Sequence, residues 1–178
     1  MSSRKLIAVA FAALFSVSLF AGTAPASALD WFGSNTRSVV NFKEKYRVGT
    51  IIVKTKERRL YLVQKGGKAI MYKVGVGRPG FAWKGKHRIT RKAKWPGWTP
   101  PAAMRKREPW LPAYMKGGID NPLGARALYI GSTLYRLHGT TNRKSIGQAV
   151  SSGCIRLLNK DIEDLYERVK VGARIIVM

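Results

Sequence analysis

Two short segments decide how this chain folds: Leu137-His138-Gly139-Thr140 and Ser151-Ser152-Gly153-Cys154-Ile155-Arg156-Leu157. They contain the only cysteine of the chain, one of its two histidines, a glycine turn and an arginine. A cysteine attacks as its thiolate, so it needs a nearby base to take the proton and backbone N–H groups to hold the oxyanion that forms. The sequence therefore predicts a thiol nucleophile built for acyl transfer.

Most residues of these segments have a candidate role in that chemistry. Gly153 permits a sharp turn, so that the N–H groups of Gly153 and Cys154 point at the oxygen of an attacked carbonyl. His138 is the stronger of two candidate bases, and without a nearby carboxylate in sequence, we expect the backbone carbonyl of Gly139 to orient its ring. Arg156 binds a substrate carboxylate or lowers the thiol pKa, unless it makes a plain salt bridge. These residues are the predicted catalytic centre.

The hydroxyl residues of the two segments are candidates for substrate binding. Ser151 and Ser152 either donate hydrogen bonds to a substrate or only form the turn. We place Thr140 with them and with Arg156 as the predicted substrate-binding residues. The sequence has no metal-spaced Cys/His cluster and no phosphate loop, so we expect neither a metal nor a cofactor.

The first 28 residues have the pattern of a secretory signal peptide. Arg4 and Lys5 precede an apolar run from Leu6 to Phe20, and Ala26-Ser27-Ala28 supplies a small-residue cleavage site. The apolar run is shorter than the roughly 20 residues of a membrane-spanning helix. We therefore expect export to the periplasm or cell envelope, with no transmembrane anchor after cleavage.

Export to an oxidising compartment makes Cys154 a stronger candidate for a nucleophile. Thiols in an oxidising compartment are normally paired, and the chain has no second cysteine. A buried inert cysteine is the alternative, but the glycine before it and the arginine after it argue against a core position.

The chain is strongly basic, with 33 Lys and Arg against 9 Asp and Glu and a formal charge of +24. Fifteen of the basic residues and no acidic one lie between Arg58 and Arg107, interleaved with Phe81, Trp83, Trp95 and Trp98. Such a surface favours anionic envelope polymers and glycan strands, and export argues against nucleic acid. The alternative is a solvated basic face over core tryptophans.

Short β-rich runs predict a mainly β domain over residues 49–178, after an N-terminal arm over 29–48. Runs at Thr50–Thr55, Leu60–Val63 and Ala69–Val76 predict an antiparallel meander with a turn at Gly66-Gly67. Three prolines between Trp95 and Pro101 predict a rigid loop, and we expect the 81–122 region to form an ordered insertion that walls a cleft. Ile162, Leu165, Tyr166 and Val169 predict one amphipathic helix, capped by Asn159, before a closing strand at Ala173–Val177.

The order His-Gly-Thr, spacer, Ser-x-Gly-Cys-Ile-Arg-Leu, with Asp161 soon after, resembles the L,D-transpeptidase catalytic domain, the YkuD family. The similarity covers roughly Gly49 to Met178. The resemblance implies a single β-sandwich or barrel domain with a short helix near its C-terminus, and it implies that the domain acts on peptidoglycan stem peptides. By position it makes Cys154 the nucleophile and His138 the base, with Gly153, Arg156 and Ser151 in the site.

The chain departs from the family pattern in two places. Many members have a second histidine where this chain has Ser152, which leaves His138 as the base. Lys84-Gly85-Lys86-His87 stands where a Pro-Thr-x-Gly type sequence is usual.

The resemblance implies attack on the carbonyl between diaminopimelate and D-Ala of a tetrapeptide stem. D-Ala leaves, and the thioester passes to an amine, giving a 3-3 crosslink or attaching an envelope protein to the wall. Transfer to water would make the protein a carboxypeptidase or hydrolase of the same stems. A sortase-like protein transpeptidase and a non-catalytic cationic wall-binding module are the alternatives from other classes.

Overall fold

The structure is a computed structural model that describes residues 36–178. The predicted signal peptide and the first part of the predicted arm lie outside these residues. None of the helices in the 36–178 part has the length and apolar character needed to cross a membrane.

The fold is mainly β, as the sequence predicted. The described residues form eleven strands, two α-helices and a short 3-10 helix, Arg143–Ser145. The strands and α-helices are β1 Arg37–Asn41, β2 Ile51–Lys54, β3 Arg59–Val63, β4 Lys68–Lys73, β5 Val76–Gly77, β6 Gly85–Lys94, α1 Ala102–Arg107, β7 Arg126–Ile130, β8 Arg136–His138, β9 Ala149–Ser151, β10 Ile155–Arg156, α2 Asn159–Arg168 and β11 Arg174–Val177. The predicted meander corresponds to β2, β3 and β4, which pair antiparallel in sequence order.

Nine of these strands form one sheet in the order β1-β4-β3-β2-β11-β6-β7-β8-β10, and β5 pairs separately with β9. The main core lies between this sheet and α2. Ile162 and Leu165 of α2 and the following Val169 are buried in it, which confirms the predicted apolar helix face. The closing strand β11 runs parallel to β2 and antiparallel to β6, so the chain end ties two parts of the sheet together.

Part of the predicted arm is a strand of the sheet. Residues Arg37–Asn41 pair antiparallel with β4 along their whole length. The Thr36 hydroxyl donates to the Asp161 carboxylate, and the Arg37 guanidinium lies 2.9 Å from the Asp164 carboxylate on α2. Residues 36–41 therefore belong to the folded domain, and the run was missed because its exposure does not alternate cleanly along the strand.

The predicted 81–122 insertion is shorter than expected. Residues 85–94 form β6, a central strand between β11 and β7, so the irregular segment begins at Trp95. Within it, Trp98 pairs with Met115 through an isolated bridge and α1 follows the proline-rich turn. The expectation that residues 95–101 form neither a helix nor a central strand is confirmed.

The predicted capping role of Asn159 is wrong. Asn159 is the first residue of α2 rather than its cap, and its side-chain oxygen accepts the Ala125 N–H at 3.1 Å. Its oxygen also packs against Gly124 and Gly139, where a Cβ would come within 2.2 Å of it. Asn159 thus holds together the loops that border β8.

Candidate active site

Strand pairing brings the two motif segments side by side. β8 and β10 are parallel neighbours, with Leu137 opposite Ile155 and His138 opposite Arg156. Because side chains alternate between faces, the buried Leu137 and Ile155 enter the core and the other pair faces away from it. Cys154 immediately precedes β10 and shares the face of Arg156.

The shared face opens into a cleft of about 540 Å³. One wall of the cleft is formed by residues 134–138 and 150–156, which include parts of the two motif segments. The other wall is formed largely by the 95–122 segment. The lining includes Arg78, Phe81, Trp98, Met104, Arg107, Glu108, Leu123, Leu134, Tyr135, Arg136, His138, Ser151, Ser152, Cys154 and Arg156. The nucleophile and base candidates therefore line the same cavity.

His138 is buried and held in one orientation. Its Nδ1 lies 2.5 Å from the Gly139 carbonyl oxygen, which makes Nδ1 the protonated nitrogen and leaves the Nε2 lone pair as the proton acceptor. Burial lowers the pKa of His138 to about 3, assisted by the charge of Arg156 and partly opposed by the Gly139 carbonyl. The ring is therefore neutral at physiological pH.

The Cys154 thiol is half-buried, and its sulfur lies 3.9 Å from the Leu134 carbonyl oxygen. Burial raises the pKa of the thiol, while the charges of Arg136 and Arg156 act in the lowering direction. Within residues 36–178, no hydrogen bond joins the sulfur to the His138 ring. Such contacts are often long before a substrate binds and tighten in the complex.

The turn before the cysteine is locked by Ser151. Gly153 has a φ of +106°, and its N–H donates to the Ser151 hydroxyl oxygen at 3.1 Å, while that hydroxyl donates to the Cys154 carbonyl at 2.5 Å. The Gly153 N–H, an expected oxyanion donor, is therefore engaged within the turn. The Cys154 N–H donates to no group in the described part of the chain. Of the two predicted donors, only the Cys154 N–H is free.

Three of the four predicted substrate-binding residues line the cleft, and Thr140 does not. Ser151 is buried and forms the turn, whereas Ser152 accepts a hydrogen bond from Arg78 at 3.0 Å. Thr140 is buried outside the cleft lining, where its hydroxyl accepts the Asn142 N–H at 3.1 Å. Arg156 lines the cleft, and no acidic residue among 36–178 pairs with it.

Sequence reasoning missed the other arginines of the cleft. Arg78, Arg107 and Arg136 join Arg156 in its walls, against a single acid, Glu108. Arg136 stands two residues before His138 on β8, so strand alternation alone places the two side chains on one face. Its Nε is buried without a hydrogen-bond partner. In the same described residues, no group of three or more His, Cys, Asp or Glu is arranged to hold a metal ion.

This fold and site define a class: mainly β proteins in which adjacent strands present a cysteine and a neutral histidine to one cleft. Within that class, the family model described as L,D-transpeptidase catalytic domain, YkuD, matches residues 49–177. The chain belongs to this family.

Individual relatives agree with the family match. The probable L,D-transpeptidase YbiS of Escherichia coli K12 is 43% identical over 135 residues, covering 70% of this chain and 43% of YbiS. The chain thus spans less than half the length of that curated relative. A structure from Brucella melitensis, named a probable carnitine operon oxidoreductase, is 39% identical, with 77% and 89% of the two chains covered and a TM-score of 0.54. An L,D-transpeptidase from Mycobacterium smegmatis shares the fold at 20% identity and a TM-score of 0.55, covering 72% and 58%.

Proposed function

We propose that this chain is a cysteine L,D-transpeptidase of the periplasm or cell envelope that acts on peptidoglycan tetrapeptide stems. The observation that carries the proposal is the joint placement of Cys154 and the neutral His138 in one cleft. A neutral imidazole with an unprotonated Nε2 accepts a thiol proton, and a half-buried thiol at a glycine turn is open to a peptide carbonyl. Family membership supports the same activity.

The first half-reaction forms a thioester. His138 Nε2 takes the Cys154 proton, and the sulfur attacks the carbonyl carbon between the third stem residue and D-Ala, forming a C–S bond. The Cys154 N–H donates to the resulting oxyanion. As the intermediate collapses, the C–N bond breaks and the D-Ala amine leaves with the proton held on His138. The acyl group remains on sulfur, and the imidazole is neutral again.

The second half-reaction transfers the acyl group. An acceptor amine attacks the thioester carbonyl, its proton passes to His138, and the C–S bond breaks as the amide forms. The proton then returns to the sulfur. An amine from another stem gives a 3-3 crosslink, a lysine of an envelope protein gives protein attachment, and water gives carboxypeptidase activity. All three acceptors use the same cysteine and histidine.

The charge of the cleft fits a substrate rich in carboxylates. Arg156 and Arg136 flank Cys154 and form no ion pair with the acids of the described part. Guanidinium groups bind carboxylates through paired hydrogen bonds, and a tetrapeptide stem has such groups on both sides of the scissile bond. This arrangement favours carboxylate-rich stem peptides as the acyl donor.

Localisation and further partners belong to the same proposal. The predicted signal peptide supports export, with no membrane anchor after cleavage, and the basic surface supports contact with anionic envelope polymers rather than nucleic acid. The oxidoreductase name of the Brucella melitensis relative is not carried over, because a Cys–His pair with an N–H donor between cationic walls is suited to acyl transfer.

Purified protein mixed with tetrapeptide-bearing muropeptides tests the proposal. We expect release of D-Ala and a peptide adduct on Cys154 by mass spectrometry, both lost in Cys154→Ala and retained in the control Ser132→Ala, which changes an exposed residue outside the cleft lining. Wall binding should persist in Cys154→Ala. Intact turnover in that variant contradicts the proposal, and binding without turnover in the wild type supports the wall-binding module instead.

Added amines identify the acceptor. Products analysed by mass spectrometry with a second stem peptide, a lysine-containing peptide or buffer alone distinguish crosslinking, protein attachment and hydrolysis. A product that contains only water as acceptor under all three conditions assigns the protein as a carboxypeptidase.

A further inference from the structure

We infer that Trp83 is a positioning residue for the oxyanion donor: its indole N–H fixes the Gly153–Cys154 peptide unit so that the Cys154 N–H faces the reacting carbonyl. The inference rests on the proposed acyl-transfer function and deepens it. Trp83 directly precedes Lys84-Gly85-Lys86-His87, where the chain departs from the usual family sequence, and it is not itself one of the residues that line the cleft.

The contacts of Trp83 are specific. Its Nε1–H donates to the Gly153 carbonyl oxygen at 2.8 Å. Its ring stacks on Tyr135, with centroids 4.6 Å apart and planes 9° from parallel, and the His87 ring meets it edge-on at 5.8 Å. The half-buried indole therefore has a fixed orientation, and the direction of its N–H is set by packing on both sides.

The bonded carbonyl belongs to the same peptide unit as the Cys154 N–H. In a trans peptide the C=O and N–H point in opposite directions, and no cis peptide occurs in the described residues. Trp83 is absent from the cleft lining, whereas Tyr135 and Cys154 belong to it. Anchoring the carbonyl on the side of Trp83 therefore turns the Cys154 N–H toward the opposite side, where the cleft lies.

Gly153 allows the tight packing that this arrangement needs. A Cβ at its position would lie 2.3 Å from Cε1 of Tyr135, and its φ of +106° is a conformation that L side chains rarely adopt. The peptide unit before Gly153 is held by Ser151 and the unit after it by Trp83. Both peptide planes of the turn are thus fixed before any substrate arrives, which is the preorganisation that oxyanion stabilisation requires.

Two reactions of Cys154 separate this role from a general structural one. Acylation by an ester or peptide builds an oxyanion, whereas alkylation by iodoacetamide displaces iodide and builds none. Trp83→Phe keeps the stack on Tyr135 and removes the donor. We expect the first-order acylation rate at saturation to fall about 100-fold, the size expected when an oxyanion donor is misplaced. The KM, the alkylation rate and the pH midpoint of alkylation should stay at wild-type values.

The exposed Trp110 supplies the matched control, because Trp110→Phe makes the same change at a residue that is not part of the cleft lining. If Trp83→Phe fails to fold, site-specific replacement of Trp83 by 3-benzothienylalanine removes the N–H and preserves the ring shape. Wild-type acylation rates in either variant overturn the inference. A parallel loss of acylation and alkylation also overturns it, because that result assigns Trp83 a structural role.

The substrate distinguishes this inference from the proposed function. p-Nitrophenyl acetate reports the oxyanion site whether or not stem peptides are the natural donors. If the ester acylates the wild-type protein and no tetrapeptide does, the proposed function is contradicted. The ester acylation rates of wild type and Trp83→Phe then still test the inference. A wild-type thiol that is alkylated but accepts no acyl donor overturns both.

Discussion

Arg156 acts on Cys154 through its charge. Burial raises the thiol pKa, and the charge of Arg156 lowers it, so removing that charge should raise the pKa further. In Arg156→Gln we expect the pH midpoint of iodoacetamide alkylation to move upward, while the nearby charge of Arg136 still acts in the lowering direction. Arg156→Lys should restore much of the wild-type midpoint, and Arg105→Gln, on the exposed side of α1, should leave it unchanged. A downward shift in Arg156→Gln would contradict the assignment.

His138 makes the stability of the fold depend on pH. Its pKa is about 3 in the folded protein, below the ordinary 6.5, so between these values the unfolded chain binds the extra proton. Stability from this group is therefore complete above pH 6.5 and declines as the pH falls toward 3. The expected loss is about 3 kcal/mol at pH 4.

Urea unfolding of wild type and His138→Gln at pH 7, 6, 5 and 4 measures this loss. The slope of unfolding free energy against pH should be smaller in the variant, whatever its stability at pH 7. The buried Asp161, whose raised pKa has the opposite effect on the slope, is present in both proteins and cancels in the comparison. Equal slopes would show that His138 titrates normally.

Sequence patterns led to the proposed reactive residues but not to the residues that hold them in place. Cys154, His138 and Arg156 were proposed because their residue types and spacing point to one chemistry. Trp83 and Arg78 were missed, since they reach the site only through tertiary packing from a distant part of the chain. The bond between Ser151 and the Gly153 N–H was missed as well, because a turn with several polar groups offers several local pairings.

The 95–122 segment depends on Asn121 for its attachment. Asn121 is 1% exposed; its side-chain N–H groups donate to the Met115 and Lys116 carbonyls, and its oxygen accepts the Leu123 N–H. Asn121→Ala leaves these buried groups unpaired and should cost about 2–4 kcal/mol.

We expect the same Asn121→Ala change to raise the KM for stem peptides, because one wall of the cleft loosens. Urea unfolding and limited proteolysis with trypsin at Arg105–Arg107 measure the two effects. The exposed neighbour Asp120→Ala is the control and should behave as wild type. Unchanged protease resistance in Asn121→Ala would show that other contacts hold the wall.

Strand β1 is anchored to helix α2 by Asp164. This carboxylate accepts the Tyr72 hydroxyl at 2.6 Å and pairs with Arg37 and Arg168 at 2.9 Å each. Burial works to raise its pKa, but the bonds from Arg168 and Tyr72 outweigh it and the net pKa is lowered. Its stabilising contribution is therefore present at neutral pH and is lost as the pH falls through the lowered value.

Asp164→Asn should lower the free energy of unfolding by about 1–3 kcal/mol at pH 7. The difference from wild type should shrink below pH 4, as the pH approaches the lowered pKa at which the wild-type carboxylate becomes protonated. Chemical unfolding at both pH values measures it, and Glu167→Gln on the exposed side of the same helix is the control. A difference that does not depend on pH would assign the effect to packing.

Local patterns predicted the hairpin elements, and long-range pairing decided the others. β2, β3 and β4 follow one another through short turns, so alternation and the Gly66-Gly67 turn were sufficient. β6 is rich in Lys and Arg and reads as a surface segment, yet it is central because β11 and β7 pair with its two edges. The partners of β1 and β6 lie far away in sequence, and no local signal identifies them.

The basic surface of the whole molecule should bind anionic polymers in a salt-dependent way. Arg88 and Arg174 lie directly opposite each other on β6 and β11, both exposed, with Lys86 on the same face. Two like charges directly opposite each other on neighbouring strands lower the free energy of unfolding by a few tenths of a kcal/mol. An anionic polymer bound to this face would remove the repulsion between the two arginines.

Arg174→Glu should therefore weaken binding to an anionic wall polymer and raise thermal stability slightly. Co-sedimentation with purified sacculi across a NaCl series, together with thermal unfolding, measures both. Binding should fall as salt rises, because exposed charges are screened over about 10 Å at 0.1 M. Salt-independent binding, or tighter binding by Arg174→Glu, would contradict the assignment of this face.

The raised pKa of the half-buried Cys154 thiol affects how readily oxidants attack it. Peroxide attacks the thiolate form of cysteine, and a protonated sulfur reacts slowly. The resting Cys154 is protonated, because burial raises its pKa while the neighbouring imidazole has not yet taken its proton. We therefore expect Cys154 to react slowly with peroxide in the absence of an acyl donor.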